Sequence, residues 1–202
     1  KGVINLITTS DPSKVGNIFT SDPRISKITF TGSTEVGREL ASKSGKNLKR
    51  ISLELGGHAP FIVFPDSDPI HAAKGVAALK FLNSGQACIS PNRIYIHKKM
   101  KEVFEKTLCD RVDKIKVGNG LEEGIGMGPL INSKAINKLK NQIQDASSKG
   151  ANVIRGGDII ADINLKNGYF FPPTILTNVK KDMLIYKQET FGPIAPIIIY
   201  ED

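Results

Sequence analysis

The sequence has no tryptophan, only two cysteines and only three histidines among its 202 residues. Cys88 and Cys109 lie far apart along the chain, which excludes a disulfide framework and predicts two reduced thiols. The histidines at positions 58, 71 and 97 lack the short spacings that are typical of a zinc or other metal site. We therefore expect no disulfide and no bound metal, and we assign no catalytic role to the histidines.

Long apolar runs are also missing from the sequence. No stretch approaches the ~20 consecutive apolar residues that a membrane-spanning helix requires. The first residues, which begin Lys-Gly, do not open a secretory signal pattern. We therefore expect a cytoplasmic location and no membrane partner.

The net charge of +8 arises from 28 basic and 20 acidic residues. A nucleic-acid-binding surface concentrates its basic residues and interleaves them with aromatic rings. Here the lysines alternate with acids, as in residues 98–116, and the four tyrosines and nine phenylalanines do not accompany them. This pattern is typical of solvated helix faces, so no nucleic-acid partner is expected.

The apolar share of 40% is enough to build an ordinary buried core. Strand-like and helix-like segments alternate, which predicts an α/β fold with a mainly parallel sheet. Ser33 is expected to cap the second helix and Gly45 to end it. The predicted helices span 12–21, 33–45, 68–83, 99–116 and 133–149, and the predicted strands span 2–8, 25–32, 49–55, 59–64, 92–97, 151–157, 168–179 and 193–202.

Residues 30–37, FTGSTEVG, place Gly32 and Ser33 between a strand and a helix. A helix that begins after a glycine presents free N–H groups and the positive end of its dipole, which suits a phosphate group. The segment is not a P-loop, because Gly37 is followed by Arg38 and Glu39 rather than by Lys and Ser or Thr. A phosphate-binding turn and a plain helix cap with a packing glycine both remain open.

Residues 53–60, LELGGHAP, set Glu54 between two leucines at the end of a strand. Burial of a charged carboxylate is costly, so Glu54 is expected either to face a cavity or to have a raised pKa. Either outcome suits a general base. The alternative is a glutamate at a strand edge that faces water.

Residues 81–93, FLNSGQACISPNR, set Cys88 in a loop of small and polar residues beyond a helix. A nucleophilic cysteine must be reachable and its thiolate must be favoured, and free backbone N–H groups in a loop serve both needs. Gly85 allows the chain to approach a ligand closely. Cys109 lies on an amphipathic helix, where we expect a small core residue.

Residues 187–196, KQETFGPIAP, place Glu189 before an aromatic residue and a Gly-Pro turn. This combination suits a hydroxyl-rich ligand held against a ring. An ordinary turn is the alternative.

These four motifs, in this order, resemble the aldehyde dehydrogenase superfamily, and most closely its succinate-semialdehyde dehydrogenase-like branch. The resemblance covers essentially the whole chain. It implies a three-layer, Rossmann-like catalytic domain together with the end of the cofactor-binding domain. Residues 1–55 would form the C-terminal part of the NAD(P)-binding domain, and residues 56–202 would form the catalytic (thiol) domain, incomplete at its C-terminal end.

The resemblance implies NAD(P)-dependent oxidation of a small-molecule aldehyde to a carboxylic acid in a homo-oligomeric parent enzyme, with NAD or NADP as cofactor. Cys88 would be the nucleophile that forms a thiohemiacetal and then a thioester, and its backbone N–H would supply part of an oxyanion hole. Glu54 would act through a water molecule to hydrolyse the thioester. The residues expected to meet the cofactor are Gly32, Ser33, Gly37, Leu55, Glu189 and Phe191.

Two positions depart from what the resemblance leads us to expect. The semialdehyde branch commonly has an arginine at the position of Leu82, and an apolar side chain cannot form a charge-assisted bond to a substrate carboxylate. Ser90 excludes a paired-cysteine redox switch.

Family enzymes are more than twice as long as this chain. We therefore expect the chain to keep the core of the catalytic domain with little or no dehydrogenase turnover. A cofactor-independent thiol esterase and a non-catalytic fragment are the alternatives.

Overall fold

The computed structural model describes residues 2–158, 160, 165 and 168–201. The chain forms two compact units, Lys1–Gly56 and Gly57–Asp202. Within the described ranges, no helix combines the length and the apolar character that crossing a membrane would need. The assignment of the two units to a cofactor-binding and a catalytic domain stays a prediction.

The first unit combines two helices with two short strands. They are α1 (Pro12–Ser21), β1 (Lys27–Thr31), α2 (Thr34–Gly45) and β2 (Arg50–Glu54). The strands are parallel, with Ile28 opposite Ile51 and Thr31 opposite Glu54. Ser33 caps α2 by accepting a hydrogen bond from the Val36 N–H, so the predicted cap and the predicted end of the helix are both confirmed.

The strand predicted at residues 2–8 is wrong. Its apolar side chains are exposed, with Val3, Ile4 and Leu6 at 90% or more and Ile7 at 60%. The segment joins no sheet in the described part of the chain, where β1 pairs with β2 alone. An apolar run becomes a strand only when a neighbouring strand satisfies its backbone N–H and C=O groups.

The second unit contains a five-stranded sheet in the order β3-β4-β7-β6-β5. Its elements are β3 (Pro60–Val63), α3 (Pro69–Phe81), β4 (Arg93–His97), α4 (Lys101–Val112), α5 (Ser133–Ser148), β5 (Asn152–Arg155), β6 (Thr174–Thr177), α6 (Leu184–Lys187) and β7 (Ile194–Tyr200). β5 runs antiparallel to β6, and the other neighbours are parallel. The prediction of an α/β fold with mainly parallel strands is therefore confirmed.

Two apolar clusters pack on opposite faces of this sheet. Ala195 and Ile197 of β7 join the cluster that contains the buried side chains of α3 and α4. Ile194 of the same strand joins the cluster formed with α5. Because successive side chains of a strand point to opposite faces, helices cover both sides and the second unit has three layers.

Three details of the second unit differ from the predicted segments. A short 3-10 turn, Lys98–Met100, precedes α4, and α4 ends at Val112 rather than near residue 116. The strand within 168–179 is confined to β6, because Pro172 and Pro173 have no N–H group for a ladder. The short helix α6 was not predicted. Residue 202, the last of the predicted strand 193–202, lies outside the described residues.

Candidate active site

The loop that carries Cys88 begins where α3 is forced to stop. After Phe81 the chain turns through three consecutive residues in the left-handed region, Asn83 (φ 50°), Ser84 (φ 58°) and Gly85 (φ 71°). An α-helix cannot continue through such residues, so α3 ends before the predicted residue 83. Non-glycine residues hold this conformation only when their surroundings fix them, and such strain is concentrated at functional sites.

Side-chain hydrogen bonds fasten this loop to residues 128–131. The Ser84 hydroxyl donates to the Gly128 carbonyl at 2.9 Å. The Gln86 carboxamide oxygen accepts from the Ile131 N–H at 3.0 Å. The loop is therefore held at both of these residues, although it has no regular secondary structure beyond its first turn.

Gly85 lies against the turn that follows Glu189. A Cβ atom at this position would stand 2.2 Å from the Gly192 carbonyl oxygen. Only glycine permits this approach, and only glycine adopts the φ of 71° without strain. The close approach predicted for Gly85 is thus made to the protein's own backbone.

Cys88 is exposed to solvent, whereas Cys109 is buried. A backbone bond from the Ser90 N–H to the Ala87 carbonyl at 3.1 Å closes a tight turn around Cys88. The Cys88 carbonyl oxygen lies 3.3 Å from where a Cβ of Gly57 would stand. Burial raises the pKa of the Cys109 thiol, so the buried thiol is the less reactive of the two.

A buried lysine lies at the end of α3, where sequence reasoning assigned no role. Lys80 is 0% exposed, and its ammonium donates to Ser90 Oγ at 3.1 Å and to Asn92 Oδ1 at 2.7 Å. Burial lowers its pKa to about 7, although the negative charge of Glu189 acts in the opposite direction. Helical spacing could have predicted that Lys80 lies on the buried face of α3, because it follows the buried Ala77 and Val76 by three and four residues.

Glu189 and Phe191 follow α6 in the second unit. One carboxylate oxygen of Glu189 accepts the Gly57 N–H at 3.1 Å. Phe191 is 40% exposed and has a left-handed φ of 49°. The structure brings this turn, through Gly57 and Gly85, together with the loop that carries Cys88.

His58 is held beside the same segment by two backbone contacts. Its Nε2 lies 2.7 Å from the Tyr186 carbonyl oxygen, to which it donates. The guanidinium of Arg93 donates to the His58 carbonyl at 2.9 Å. Burial lowers the pKa of His58, which keeps the ring neutral at pH 7.

The remaining predicted site residues belong to the first unit. The Gly32 N–H donates to the Glu54 carbonyl at 3.0 Å, which joins the carboxyl ends of β1 and β2. A Cβ at Gly37 would lie 2.5 Å from the Leu55 side chain, so the first turn of α2 packs closely on Leu55. Ser33 is exposed, and while its oxygen accepts from Val36 its hydroxyl hydrogen can still be donated.

The Glu54 side chain is exposed in the alternating pattern of β2, in which Leu53 is only half-buried. Of the two alternatives for Glu54, the structure therefore excludes full burial between the leucines. A carboxylate that faces water and one that faces a ligand both remain open on this observation. In the described ranges, no group of three or more His, Cys, Asp or Glu residues is arranged to hold a metal ion.

Comparison with known proteins gives a match to the profile of the aldehyde dehydrogenase family over residues 1–202. The chain is 44% identical over 201 residues to succinate-semialdehyde dehydrogenase [NADP(+)] 2 of Schizosaccharomyces pombe, covering 100% of this chain and 40% of that protein. It is 46% identical over 201 residues to a glutarate-semialdehyde dehydrogenase of Pseudomonas putida, covering 100% of this chain and 40% of that protein.

Solved structures agree with these sequence matches. An Escherichia coli NADP-dependent enzyme superposes with a TM-score of 0.94 at 44% identity, covering 100% of this chain and 41% of that one. A succinate-semialdehyde dehydrogenase from Burkholderia pseudomallei gives a TM-score of 0.92 at 44% identity, covering 96% of this chain and 40% of that one. The chain thus spans about two fifths of the length of the proteins that it matches.

Proposed function

Because this chain belongs to the aldehyde dehydrogenase family, we propose that it supplies the nucleophile for an NAD(P)-dependent oxidation of an aldehyde to a carboxylic acid. The observation that carries this proposal is the contrast between the two cysteines. Cys88 is exposed, and side-chain hydrogen bonds of Ser84 and Gln86 hold its loop to residues 128–131. Cys109 is buried. A reactive thiol needs exposure and a fixed backbone, and Cys88 has both.

The proposed reaction starts with attack of the Cys88 thiolate on the aldehyde carbon, which forms a C–S bond and a thiohemiacetal. NAD or NADP, when bound, supplies the acceptor for the hydride that leaves this carbon. The resulting thioester reacts with water, which breaks the C–S bond, releases the carboxylic acid and restores the thiol. The Cys88 N–H is proposed to stabilise the oxyanion during attack.

Glu54 is proposed as the general base that takes a proton from the attacking water. A thiol with an ordinary pKa of about 8.5 is only a few per cent thiolate at pH 7, so a base is also useful for the first step. The exposed side chain of Glu54 at the end of β2 leaves its carboxylate available for this role.

The residues of the first unit fit the pyrophosphate of a dinucleotide. α2 is a helix of 12 residues, and Gly32, Ser33 and Thr34 at its start are exposed. Its unpaired N–H groups and positive dipole end suit an anion, with the Ser33 hydroxyl as a further donor. Glu35 in the same turn carries a negative charge, so we place the anion at the N–H groups before it.

The remaining proposed cofactor contacts are the Leu55 backbone, which would bind the nicotinamide amide, and the Glu189 turn of the second unit. The second carboxylate oxygen of Glu189 makes no hydrogen bond with the described residues, which leaves it for a ribose hydroxyl. The exposed Phe191 ring offers an apolar surface to the nicotinamide.

The substrate class is proposed as an aldehyde, without a required carboxylate. Relatives are named for succinate semialdehyde and glutarate semialdehyde. In this chain Leu82, in the loop before Cys88, is 58% exposed and apolar, so it offers no charge to a substrate carboxylate.

Alkylation by iodoacetamide, followed at each cysteine by peptide mass spectrometry, tests the role of Cys88. We expect Cys88 to react at least about tenfold faster than Cys109, because burial both shields Cys109 and raises its pKa. Equal rates would favour the non-catalytic alternative. Cys88→Ser should abolish covalent capture of an aldehyde or activated ester, with Cys109→Ser as the matched control that leaves it unchanged.

A cofactor-independent thiol esterase is the second candidate, because the exposed thiol and its fixed turn lie in a unit that needs no dinucleotide to present them. Incubation with p-nitrophenyl acetate, with and without NAD(P), separates the two functions. In either case Glu54→Gln should still allow acylation of Cys88 and should slow release of the acyl group more than it slows acylation. Equal, mild effects of Cys88→Ser and Glu54→Gln would remove both functions.

A further inference from the structure

The ammonium of Lys80 forms hydrogen bonds that join the end of α3 to the segment following Cys88. Lys80 ends in the core of the second unit, and its two acceptors, Ser90 and Asn92, are themselves 0% exposed. Ser90 and Asn92 follow Cys88 in the chain, while Lys80 precedes it on α3. The two hydrogen bonds therefore join the segments on either side of the thiol.

Asn92 also forms hydrogen bonds to the segment Gly57–Ala59. Its backbone N–H donates to the Ala59 carbonyl at 3.1 Å, and its side-chain amide lies 3.5 Å from the Gly57 carbonyl. Gly57 is also the residue against which the Cys88 carbonyl packs. A displacement of Asn92 would thus change the spacing between the Cys88 turn and Gly57.

Packing alone does not account for a lysine at this position. An unbranched apolar side chain of similar length, such as methionine, would fill the same space without the cost of removing an ammonium from water. Both acceptors to which the Lys80 ammonium donates, Ser90 Oγ and Asn92 Oδ1, are neutral. The ammonium is therefore present at a net electrostatic cost, and what it gains is a pair of directed bonds to the loop.

We propose that Lys80 is a positioning residue for the Cys88 nucleophile, whose ammonium holds Ser90 and Asn92 and so fixes the Ala87–Ser90 turn against the Gly57–Ala59 segment. The inference rests on the proposed function only in calling Cys88 a nucleophile. The arrangement of the turn is a property of the second unit itself.

The strength of this contact depends on pH. In the closed turn burial lowers the pKa of Lys80 to about 7, whereas an opening that admits water to the side chain restores an ordinary lysine pKa. The titratable groups that act on it electrostatically are Glu189, which favours its charged form, and His58, which is neutral at pH 7 and whose own pKa is lowered by Lys80. Because the open turn then binds the proton more tightly than the closed turn does, the turn should be held more firmly above pH 8 than below pH 7.

Hydrogen exchange of the amides of Ser90, Asn92 and Arg93, expressed as protection factors, tests the structural step. At pH 6 we expect Lys80→Met to lower protection by about tenfold, the loss of one charge-assisted bond, with no comparable change in α5. In the wild-type chain protection should rise about threefold from pH 6 to pH 8.5, because the relief of the burial cost exceeds the weakening of the two bonds, and Lys80→Met should show no such rise. Lys74→Met, an exposed lysine on the same helix, is the matched control and should behave as wild type.

The pH profile of Cys88 alkylation by iodoacetamide tests the consequence for the thiol. Wild type and Lys74→Met should show an inflection near pH 7 in addition to the ionisation of the thiol itself, and Lys80→Met should lack it. Superimposable profiles and protection factors for Lys80→Met and Lys74→Met would overturn the inference. Failure of the proposed function looks different, because Cys88 would then react no faster than Cys109 in every variant.

A second variant decides the question if Lys80→Met does not fold. Ser90→Ala removes one acceptor and leaves the ammonium bound to Asn92, so the fold has less to lose. It should lower protection of the Asn92 and Arg93 amides about threefold. Unchanged protection and an unchanged alkylation profile in Ser90→Ala would contradict the inference.

Discussion

Replacing Lys80 by methionine should remove a specific pH dependence from the stability of the chain. Burial lowers the pKa of this lysine from 10.5 to about 7 in the folded protein. In the unfolded chain the side chain is in water and its pKa stays at the ordinary value of 10.5. Between these two values the unfolded state binds a proton that the folded state has lost. Stability therefore rises with pH across this window, by at most about 1.4 kcal/mol per pH unit.

The magnitude follows from the two pKa values. Integration from pH 7 to pH 9 gives a gain of about 2 kcal/mol in the free energy of unfolding, with little change below pH 6, where both states are charged. Lys80 is fully buried, so solvent screening does not reduce this figure. The methionine variant has no group to titrate at this position and should lack the gain, on top of a constant loss of about 1–3 kcal/mol from the unpaired Asn92 oxygen.

Urea unfolding at pH 6, 7, 8 and 9, followed by far-UV circular dichroism, measures the effect. The difference in unfolding free energy between wild type and Lys80→Met should grow with pH, while the difference between wild type and Lys74→Met stays flat, because Lys74 is exposed on the same helix. A constant difference for Lys80→Met, within about 0.5 kcal/mol from pH 6 to pH 9, would refute the idea that burial makes this lysine titrate near neutrality.

Three further substitutions, the first with a matched control, have defined outcomes. Gly85→Ala should lower the free energy of unfolding in urea by about 3 kcal/mol, because its φ is 71° and its Cβ would stand 2.2 Å from the Gly192 carbonyl. Gly120→Ala, where a Cβ meets open space, should stay within about 0.5 kcal/mol, and equal effects would refute the steric explanation. Asp68→Ala should cost about 1 kcal/mol in the same assay by removing the acceptor for two N–H groups at the start of α3, and no loss would show that the cap is not needed. Leu82→Arg should raise covalent capture of succinate semialdehyde relative to butanal about threefold by mass spectrometry, since the position is exposed and a surface ion pair is weak; an unchanged ratio would remove Leu82 from the substrate path.

Periodicity and capping residues predicted the helices of this fold well, because both signals are local. α1 matches its predicted bounds, and α2 begins after its predicted cap, Ser33. The four motifs also led to the correct family, which the comparisons confirm. What the sequence could not provide was information about partners distant in the chain. The run at 2–8 has the composition of a strand, but no strand lies beside it in the described part of the chain. The antiparallel pairing of β5 with β6 likewise depends on residues that are distant in the sequence.

Lys80 shows a different limit of sequence reasoning. Its spacing from Val76 and Ala77 places it on the buried face of α3, yet a lysine at such a position is normally expected to extend its charge to water. Burial becomes possible only because Ser90 and Asn92 return to the end of the helix from the far side of the loop. The pattern could have identified the position as unusual, but not the two acceptors that explain it.

The position of Cys88 in a loop raises a physical conflict, because exposure favours reactivity while mobility reduces it. The structure resolves this conflict by alternating burial along the loop. Ser84 and Gly85 are buried before the thiol, and Ser90 and Asn92 are buried after it, so that Cys88 is exposed between two buried segments. A residue exposed between two buried anchors loses little conformational entropy when a substrate binds, because the backbone is already fixed. A fixed backbone is also what the proposed oxyanion-hole role of the Cys88 N–H would require.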